Sequence, residues 1–195
     1  LQVSLYRGNP PSAQIINAAS SEIYGLEGQL SYRLTDRFQF NVGAAYTHAR
    51  YTNFEDAPIY TRCTLASCAA QGISFVVVPT QLNDVHMQRT PDFTGNVGAR
   101  YTLDLAGGSL ALSGNLYYTS KFYFGPSGTQ FAQKGYEVLA LRAEWTDASD
   151  RFSLAVFGDN VTDSRYRTQV LSNNFGIGNV WSAPATWGVQ AGVKF

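Results

Sequence analysis

The last segment of the chain alternates without a break. Trp187, Val189, Ala191, Val193 and Phe195 share one parity, and Thr186, Gly188, Gln190, Gly192 and Lys194 share the other. The same period of two runs through 24–34, 38–46, 93–103, 110–118, 139–145 and 152–156. In each segment one parity holds only apolar, aromatic or Gly residues. The other is mostly Gly, Ala, Ser, Thr, Asn and Gln, with charges at Glu27, Arg33, Arg100, Arg142, Glu144 and Lys194. Successive side chains of a strand point to opposite faces, so these segments are predicted to build a sheet with one greasy side and one wet side.

A soluble sandwich alternates as well, because one face of each sheet packs on a core. Three further features point to the bilayer. Most of the apolar stripes run about 9–11 residues, the length at which a tilted strand crosses the hydrocarbon, against roughly 5–6 for an ordinary strand. Large aromatics stand near the stripe ends, at Tyr24, Tyr32, Tyr46, Tyr101, Tyr118, Trp145, Trp187 and Phe195, where an amphipathic ring meets the interface. The connections also alternate in length: tight turns at Thr35-Asp36, Ala106-Gly107-Gly108 and 147–150, long polar stretches at 8–20, 49–90, 122–134 and 160–185. Short turns at one end and long loops at the other describe an all-β, antiparallel transmembrane barrel of the outer-membrane type.

Composition agrees. Charged residues make up 14% of the chain, against roughly 25% in soluble domains. A net charge of zero offers no basic stripe and argues against nucleic acid as a partner. No run of 18 apolar residues exists, so no transmembrane helix is available and crossing falls to strands. Counting Leu1–Arg7 as the top of an upward strand, the sequence supplies eight strands. Residue 1 falls in mid-pattern, without a signal peptide or an initiator Met, which fits the C-terminal piece of a larger barrel.

Three motifs bring a family into view. Asn17-Ala18-Ala19-Ser20-Ser21-Glu22-Ile23-Tyr24-Gly25-Leu26-Glu27-Gly28 resembles the "NA…s…yGvE" strand of TonB-dependent outer-membrane receptors. Phe157-Gly158-Asp159-Asn160-Val161-Thr162-Asp163-Ser164-Arg165-Tyr166 is similar to their "NLtDkrY" segment. Pro184-Ala185-Thr186-Trp187-Gly188-Val189, running to a terminal Phe, resembles their closing strand, with Ala185 where the family usually has Arg. Members are 22-stranded barrels with a plugged lumen. The resemblance therefore implies that residues 1–195 are the last eight strands, with the plug and the segment that engages the TonB complex upstream. It further implies a Gram-negative outer membrane, with its lipid and its assembly machinery as partners, and a scarce small-molecule ligand, a ferric siderophore or other iron complex above all. Phe195 would be part of the assembly signal.

The motifs also have plain physical uses. Parity puts Glu27, Arg33, Arg100, Arg142 and Glu144 on the lumen wall, where they form a wall or plug-contact network. Gly28 spares space on the lipid face. Asn160, Thr162 and Asp163 are turn-forming side chains that shape a strand exit.

The stretch 49–90 carries the chemistry most specific to this chain. In an oxidising exterior Cys63 and Cys68, the two cysteines, read as a disulfide closing a small loop. The alternative is a metal site that adds His48 or His86 to the two thiols. Tyr51, Phe54, Tyr60, Tyr123, Phe131 and Phe175 are loop aromatics suited to catecholate stacking or sugar-ring packing, and equally to loop packing. No catalytic constellation, cofactor motif or metal cluster is called for: the serines, Ser127 among them, lack a nucleophile-elbow setting. A self-contained eight-stranded barrel with a structural or adhesion role is the alternative reading.

Overall fold

The computed structural model describes residues 2–7, 12–17, 20–125, 131–172 and 175–195; Leu1, Ala18, Ala19 and Ser127 lie outside them. In chain order the strands are β1 (Gln2–Arg7), β2 (Ser12–Asn17), β3 (Ser20–Arg33), β4 (Phe38–Arg62), β5 (Phe75–Leu82), β6 (Val85–His86), β7 (Phe93–Leu105) and β8 (Gly108–Thr119). They continue as β9 (Phe122–Tyr123), β10 (Ala132–Gln133), β11 (Tyr136–Asp147), β12 (Phe152–Asp159), β13 (Arg167–Ser172), β14 (Ile177–Trp181) and β15 (Thr186–Val193). A single helical turn, α1 (Ala66–Ala70), lies between β4 and β5. No helix among the described residues is long and apolar enough to cross a membrane, which says nothing of strands.

Seven strands form the wall. They pair antiparallel in the order β15-β12-β11-β8-β7-β4-β3, and the sheet does not close on itself. β1 pairs with β2 in a separate ribbon, so the eighth strand counted from the sequence lies beside the chain leading into β3 rather than within the seven-stranded path.

The register fixes the two faces. One lateral row runs Tyr32, Phe40, Ala99, Gly114, Leu141, Gly158, Trp187, strand after strand. This is the apolar parity, and it is open to the outside: Leu26 is 78% exposed, Val189 71% and Leu112 42%. Apolar side chains left in water at that density would be a large unfavourable patch; against hydrocarbon they are at home. Rings cluster at both ends of the band. Tyr24 stacks on His48 at 4.5 Å and Phe93 meets Tyr118 at 6.0 Å at the loop end, while Tyr32 meets Phe40 at 6.0 Å and Phe38 meets Tyr101 at 6.4 Å at the turn end. Trp145 donates its indole N–H to the Leu105 carbonyl at 3.0 Å.

The turns are built by local polar chemistry. Thr35 Oγ1 accepts from the backbone N–H groups of Arg37 and Phe38. The β7–β8 connection is tighter than its three small residues suggest: Ala106 and Gly107 alone turn the chain, both at positive φ (51° and 71°), and Gly108 already belongs to β8. Asp147 accepts from the backbone of Arg151 (2.8 Å) and Phe152 (2.7 Å) and from Ser149. The Phe152 N–H above all holds the Asp147 carboxyl down at about 2.

At the other end, much of what reads as a long loop is sheet. β4 runs unbroken for 25 residues. Its lower part pairs with β3 and β7, and its upper part pairs with β5 in a hairpin that rises beyond the wall. The alternation fades there because a bulge between Phe54 and Ala57, with Asp56 at φ 54°, shifts the parity. Gly28 also differs from expectation. A Cβ there would meet open space, whereas one at Gly25 would run into the Tyr46 carbonyl, so Gly25 is the position that close strand approach demands.

The parity makes a direct prediction. Val189→Arg or Leu112→Arg places a cation in hydrocarbon, at roughly 2–4 kcal/mol near the midplane, whereas Gln190→Arg or Ser113→Arg places it on the wet face. Heat-modifiable, membrane-inserted barrel should fall sharply for the first pair and hold for the second. Equal losses would show the faces to be exchanged.

Candidate functional site: a polar wall beneath an aromatic collar

The wet face of the sheet is a trough. A concavity of about 830 Å³ is lined by Gln29, Ser31, Asn41, Asn115 and, at one level, Arg33, Arg100 and Arg142. The register explains that level: Arg33 faces Gln39, Gln39 faces Arg100, Arg100 faces Ser113, and Ser113 faces Arg142. Arg142 donates to Glu144 at 3.2 Å and to Gln190 at 3.0 Å, and its guanidinium lies 5.8 Å from the Phe157 ring centroid. Glu27 stands apart, in a second concavity of about 460 Å³ with Gly43, Asn96 and Tyr117. The wall residues named from the sequence therefore share one face, and the three arginines share one row.

Above the wall, the loop aromatics fall into two packed clusters. Ala49, Tyr51, Phe54, Ala57, Leu82 and Met87 form the first, with Tyr51 and Phe54 each 1% exposed. Tyr60, Phe124 and Phe131 form the second, against Phe75, Val77, Phe122, Val170 and Ile177. Four of the six candidate ligand aromatics, Tyr51, Phe54, Tyr60 and Phe131, thus sit inside the collar. Burying such a ring is worth roughly 1.5–3 kcal/mol, which is ample reason for their presence. Tyr123 is half-buried beside His86 and under the Lys121 ammonium, and Phe175 is exposed.

Side chains that the sequence does not single out hold the collar together. Arg167 donates its backbone N–H to Gln133 Oε1 (2.9 Å) and its guanidinium to Asn179 (3.2 Å) and to the Ala132 carbonyl, and lies 6.0 Å from the Phe124 ring. It ties β10 to the β13–β14 hairpin. Arg89 covers the same ring at 5.3 Å. Nothing in the local sequence marks either residue, since their partners lie up to 43 positions away, from Arg167 to Phe124.

Two of the family-like motifs are bonded to each other. Asn160 sits at φ 51°, donates to the carbonyls of Ser164 (3.0 Å) and Ala183 (3.1 Å), and accepts from the Ser164 N–H (2.9 Å). Asp163 accepts from the Ala185 N–H at 3.1 Å, and that bond, with the Arg165 side chain, pulls its carboxyl below the usual range. The last loop is therefore pinned at its base to the exit of β12.

Cys63 and Cys68 are bonded to each other, S–S 2.09 Å, across the turn that carries α1. Bonded sulfurs offer no thiolate, so the metal alternative for this pair is withdrawn. The histidines go separate ways as well. His48 lies on the Tyr24 ring, while His86 pairs with Asp92 at 3.5 Å. Burial lowers the His86 pKa, opposed by the Asp92 charge. Among the described residues no three His, Cys, Asp or Glu groups gather to hold a metal. The chemistry this arrangement offers is recognition by rings, amides and guanidinium groups.

An open antiparallel wall, greasy outside and polar inside, with a structured collar at one end, defines part of a large outer-membrane-type barrel. The family model for the TonB dependent receptor-like beta-barrel matches residues 1–161, and the chain belongs to that family. Solved structures agree on the fold. The ferric yersiniabactin uptake receptor FyuA from Yersinia pestis superposes with a TM-score of 0.70 at 16% identity, covering 93% of this chain and 25% of its own. BauA, the ferric preacinetobactin receptor from Acinetobacter baumannii, gives 0.63 at 17%, covering 97% and 25%. FpvA of P. aeruginosa, solved bound to heterologous pyoverdines, gives 0.57 at 16%, covering 97% and 22%. The chain thus spans about a quarter of the length of these receptors. No curated protein sequence matches it. The family consists of transport receptors that work with TonB, not of enzymes.

Because the disulfide closes a short turn at the tip of the hairpin, its loop-entropy contribution is roughly 2–3 kcal/mol at most and local. Reduction should speed hydrogen exchange in 63–74 and leave the wall unchanged. Labelling of both thiols in the non-reduced, surface-exposed protein would refute the bond.

Proposed function

We propose that residues 1–195 form the C-terminal part of the barrel of a Gram-negative outer-membrane receptor that imports a scarce solute, a ferric siderophore or similar iron complex, with energy delivered through TonB. On this reading the plug and the TonB-contacting segment belong to the region upstream of residue 1. The single observation that carries it is the open wall: seven strands with a lipid-compatible outside and, among the described residues, two edges without a neighbour, β3 and β15, whose backbone groups need further strands in a bilayer. The same observation favours a larger barrel over a self-contained eight-stranded one. The iron complexes in the neighbours' descriptions support an iron complex as cargo.

The collar supplies the recognition surface. Phe175 is the candidate aromatic that is exposed, and Tyr123 is half-buried between His86 and the Lys121 ammonium, while Tyr51, Phe54, Tyr60 and Phe131 stiffen the surface from behind. Binding residues placed on loops over a rigid scaffold are the ordinary arrangement. In the full receptor, deletion within 54–80 should lower uptake of a labelled ferric siderophore while the barrel stays inserted, and uptake should vanish in cells lacking TonB. Undiminished uptake of every candidate complex after the deletion would remove the hairpin from recognition.

Phe195 lies past the end of β15, fully exposed, where the Lys194 N–H still bonds the Arg151 carbonyl at 2.9 Å. We assign it to assembly, read by the insertion machinery. Phe195→Ala should reduce the amount of receptor in the outer membrane without changing ligand affinity per inserted molecule; unchanged levels would count against that role.

A further inference from the structure

Among the described residues, one buried side-chain nitrogen or oxygen lacks a hydrogen-bond partner, and it is Nε of Arg50. β4 places this residue. Tyr46 belongs to the lipid-facing parity, and His48 and Arg50 continue that parity upward, with His48 stacked on the lipid-facing Tyr24. Ala49 and Tyr51, on the opposite parity, enter the first aromatic cluster. Arg50 therefore stands on the outer side of the wall, above the aromatic band at its loop end. His86 is its cross-strand partner. Tyr123 links His86 to Lys121, its ring centroid 5.7 Å from the His86 ring and 4.8 Å from the Lys121 ammonium. Arg50, His48 and Lys121 all act on His86 through their charge, so these groups form one patch. Its nearby acids do not neutralise the two permanent cations. Asp92 pairs with His86, and Glu22, opposite Arg50 on β3, forms no ion pair with it. Neither Arg50 nor Lys121 has a carboxylate within ion-pair range among the described residues.

We infer that Arg50 and Lys121 hold the phosphate of an anionic lipid of the outer leaflet. The inference rests on the membrane placement of the wall and is independent of the cargo. Height agrees with it. Arg50 lies four residues beyond Tyr46, about 13 Å along the strand, and at a tilt of about 40° that is roughly 10 Å above the ring. The headgroup layer extends about 5–8 Å past the hydrocarbon, and long basic side chains reach down to it along their apolar stems. Chemistry agrees as well. A desolvated guanidinium N–H without an acceptor costs free energy until one is supplied, and the guanidinium fork matches phosphate oxygens in paired bonds, with the ammonium adding a point charge. The patch is continuous with the lipid-facing band through Tyr24 and His48, so a lipid whose chains lie on Leu26 and Leu30 brings its headgroup to Arg50. A solute passing through the lumen meets the other face of β4, where Ala49 and Tyr51 are buried.

The test uses the full-length receptor, purified from outer membranes and stripped of lipid, with binding followed by native mass spectrometry. The probes are diphosphorylated lipid A, the same lipid with its phosphates removed, and inorganic phosphate. Wild-type receptor should bind the phosphorylated lipid about tenfold more tightly than the dephosphorylated one, and Arg50→Ala with Lys121→Ala should remove that difference. Arg151→Ala, which deletes a cation at the opposite end of the wall, should retain it. If the double Ala variant does not insert, Arg50→Gln with Lys121→Gln carries the test. Equal binding of the two lipids by wild type, or an undiminished preference in the inserted double variant, overturns the site. Displacement of the lipid by millimolar inorganic phosphate overturns the lipid as its occupant in favour of a free anion. TonB-dependent uptake of a ferric siderophore should be the same in wild type and double variant. Loss of uptake with the lipid preference intact would place Arg50 on the path of the cargo and overturn the inference. Absence of uptake in wild type would sink the functional reading and leave the lipid site standing.

Discussion

Every backbone N–H and C=O of a chain in hydrocarbon must find its partner within the protein, because no water is there to substitute. The rest of this structure follows from that requirement. It selects long antiparallel strands, and strands impose the period of two that separates a lipid face from a wet face. Once the faces are separated, charge can survive only on one of them, which is where Arg33, Arg100, Arg142 and Glu144 stand. Leu26, Leu112 and Val189 occupy the other, where they stand exposed.

Outside the bilayer the rules change, and so does the architecture. Where water can satisfy the backbone, loops could be irregular, yet this chain builds two hydrophobic clusters there and extends β4 and β5 to frame one of them. A soluble core in miniature sits on a barrel that has none. Its polar connections are equally specific: Arg167 across Ala132, Gln133 and Asn179, and Asn160 with Asp163 across the base of the last loop. The clusters leave Phe175 exposed and Tyr123 half-buried by giving the intervening chain something to pack on.

How much of this was legible in the sequence divides along the same line. The seven wall strands, their faces and their short turns are local facts, written in alternation and in Thr35, Gly107 and Asp147, and the structure follows them to within a few residues everywhere but β4, which runs on from its 38–46 stripe to Arg62. β11 and β12 begin or end a few positions beyond their apolar stripes, because pairing continues where the wet-dry contrast has lapsed. The collar depends on encounters between distant segments. A Tyr in a polar stretch looks the same whether it faces a ligand or fills a cluster, so Tyr51, Phe54, Tyr60 and Phe131 could not be sorted without tertiary structure. The bulge at 55–56 hid the upper half of β4 by breaking the period that announces a strand. The arginine row was visible as parity, but its common height needed the register.

β4 deserves to be considered as a mechanical part. Twenty-five residues of one strand, at about 3.3 Å each, reach roughly 80 Å, against a hydrocarbon thickness of about 30 Å. A single covalent rod thus joins the turn on the inner side to the disulfide-closed tip on the outer side, hydrogen-bonded along its length to β3 and β7 below and to β5 above. Load applied lengthwise at the tip is shared by many bonds in shear, so the hairpin resists being drawn out of the wall. Load applied sideways meets no such ladder above the membrane and must be borne by the first aromatic cluster, which sits where the rod leaves its lateral supports. That joint, at Tyr51 and Phe54, is where stiffness along the axis gives way to compliance across it.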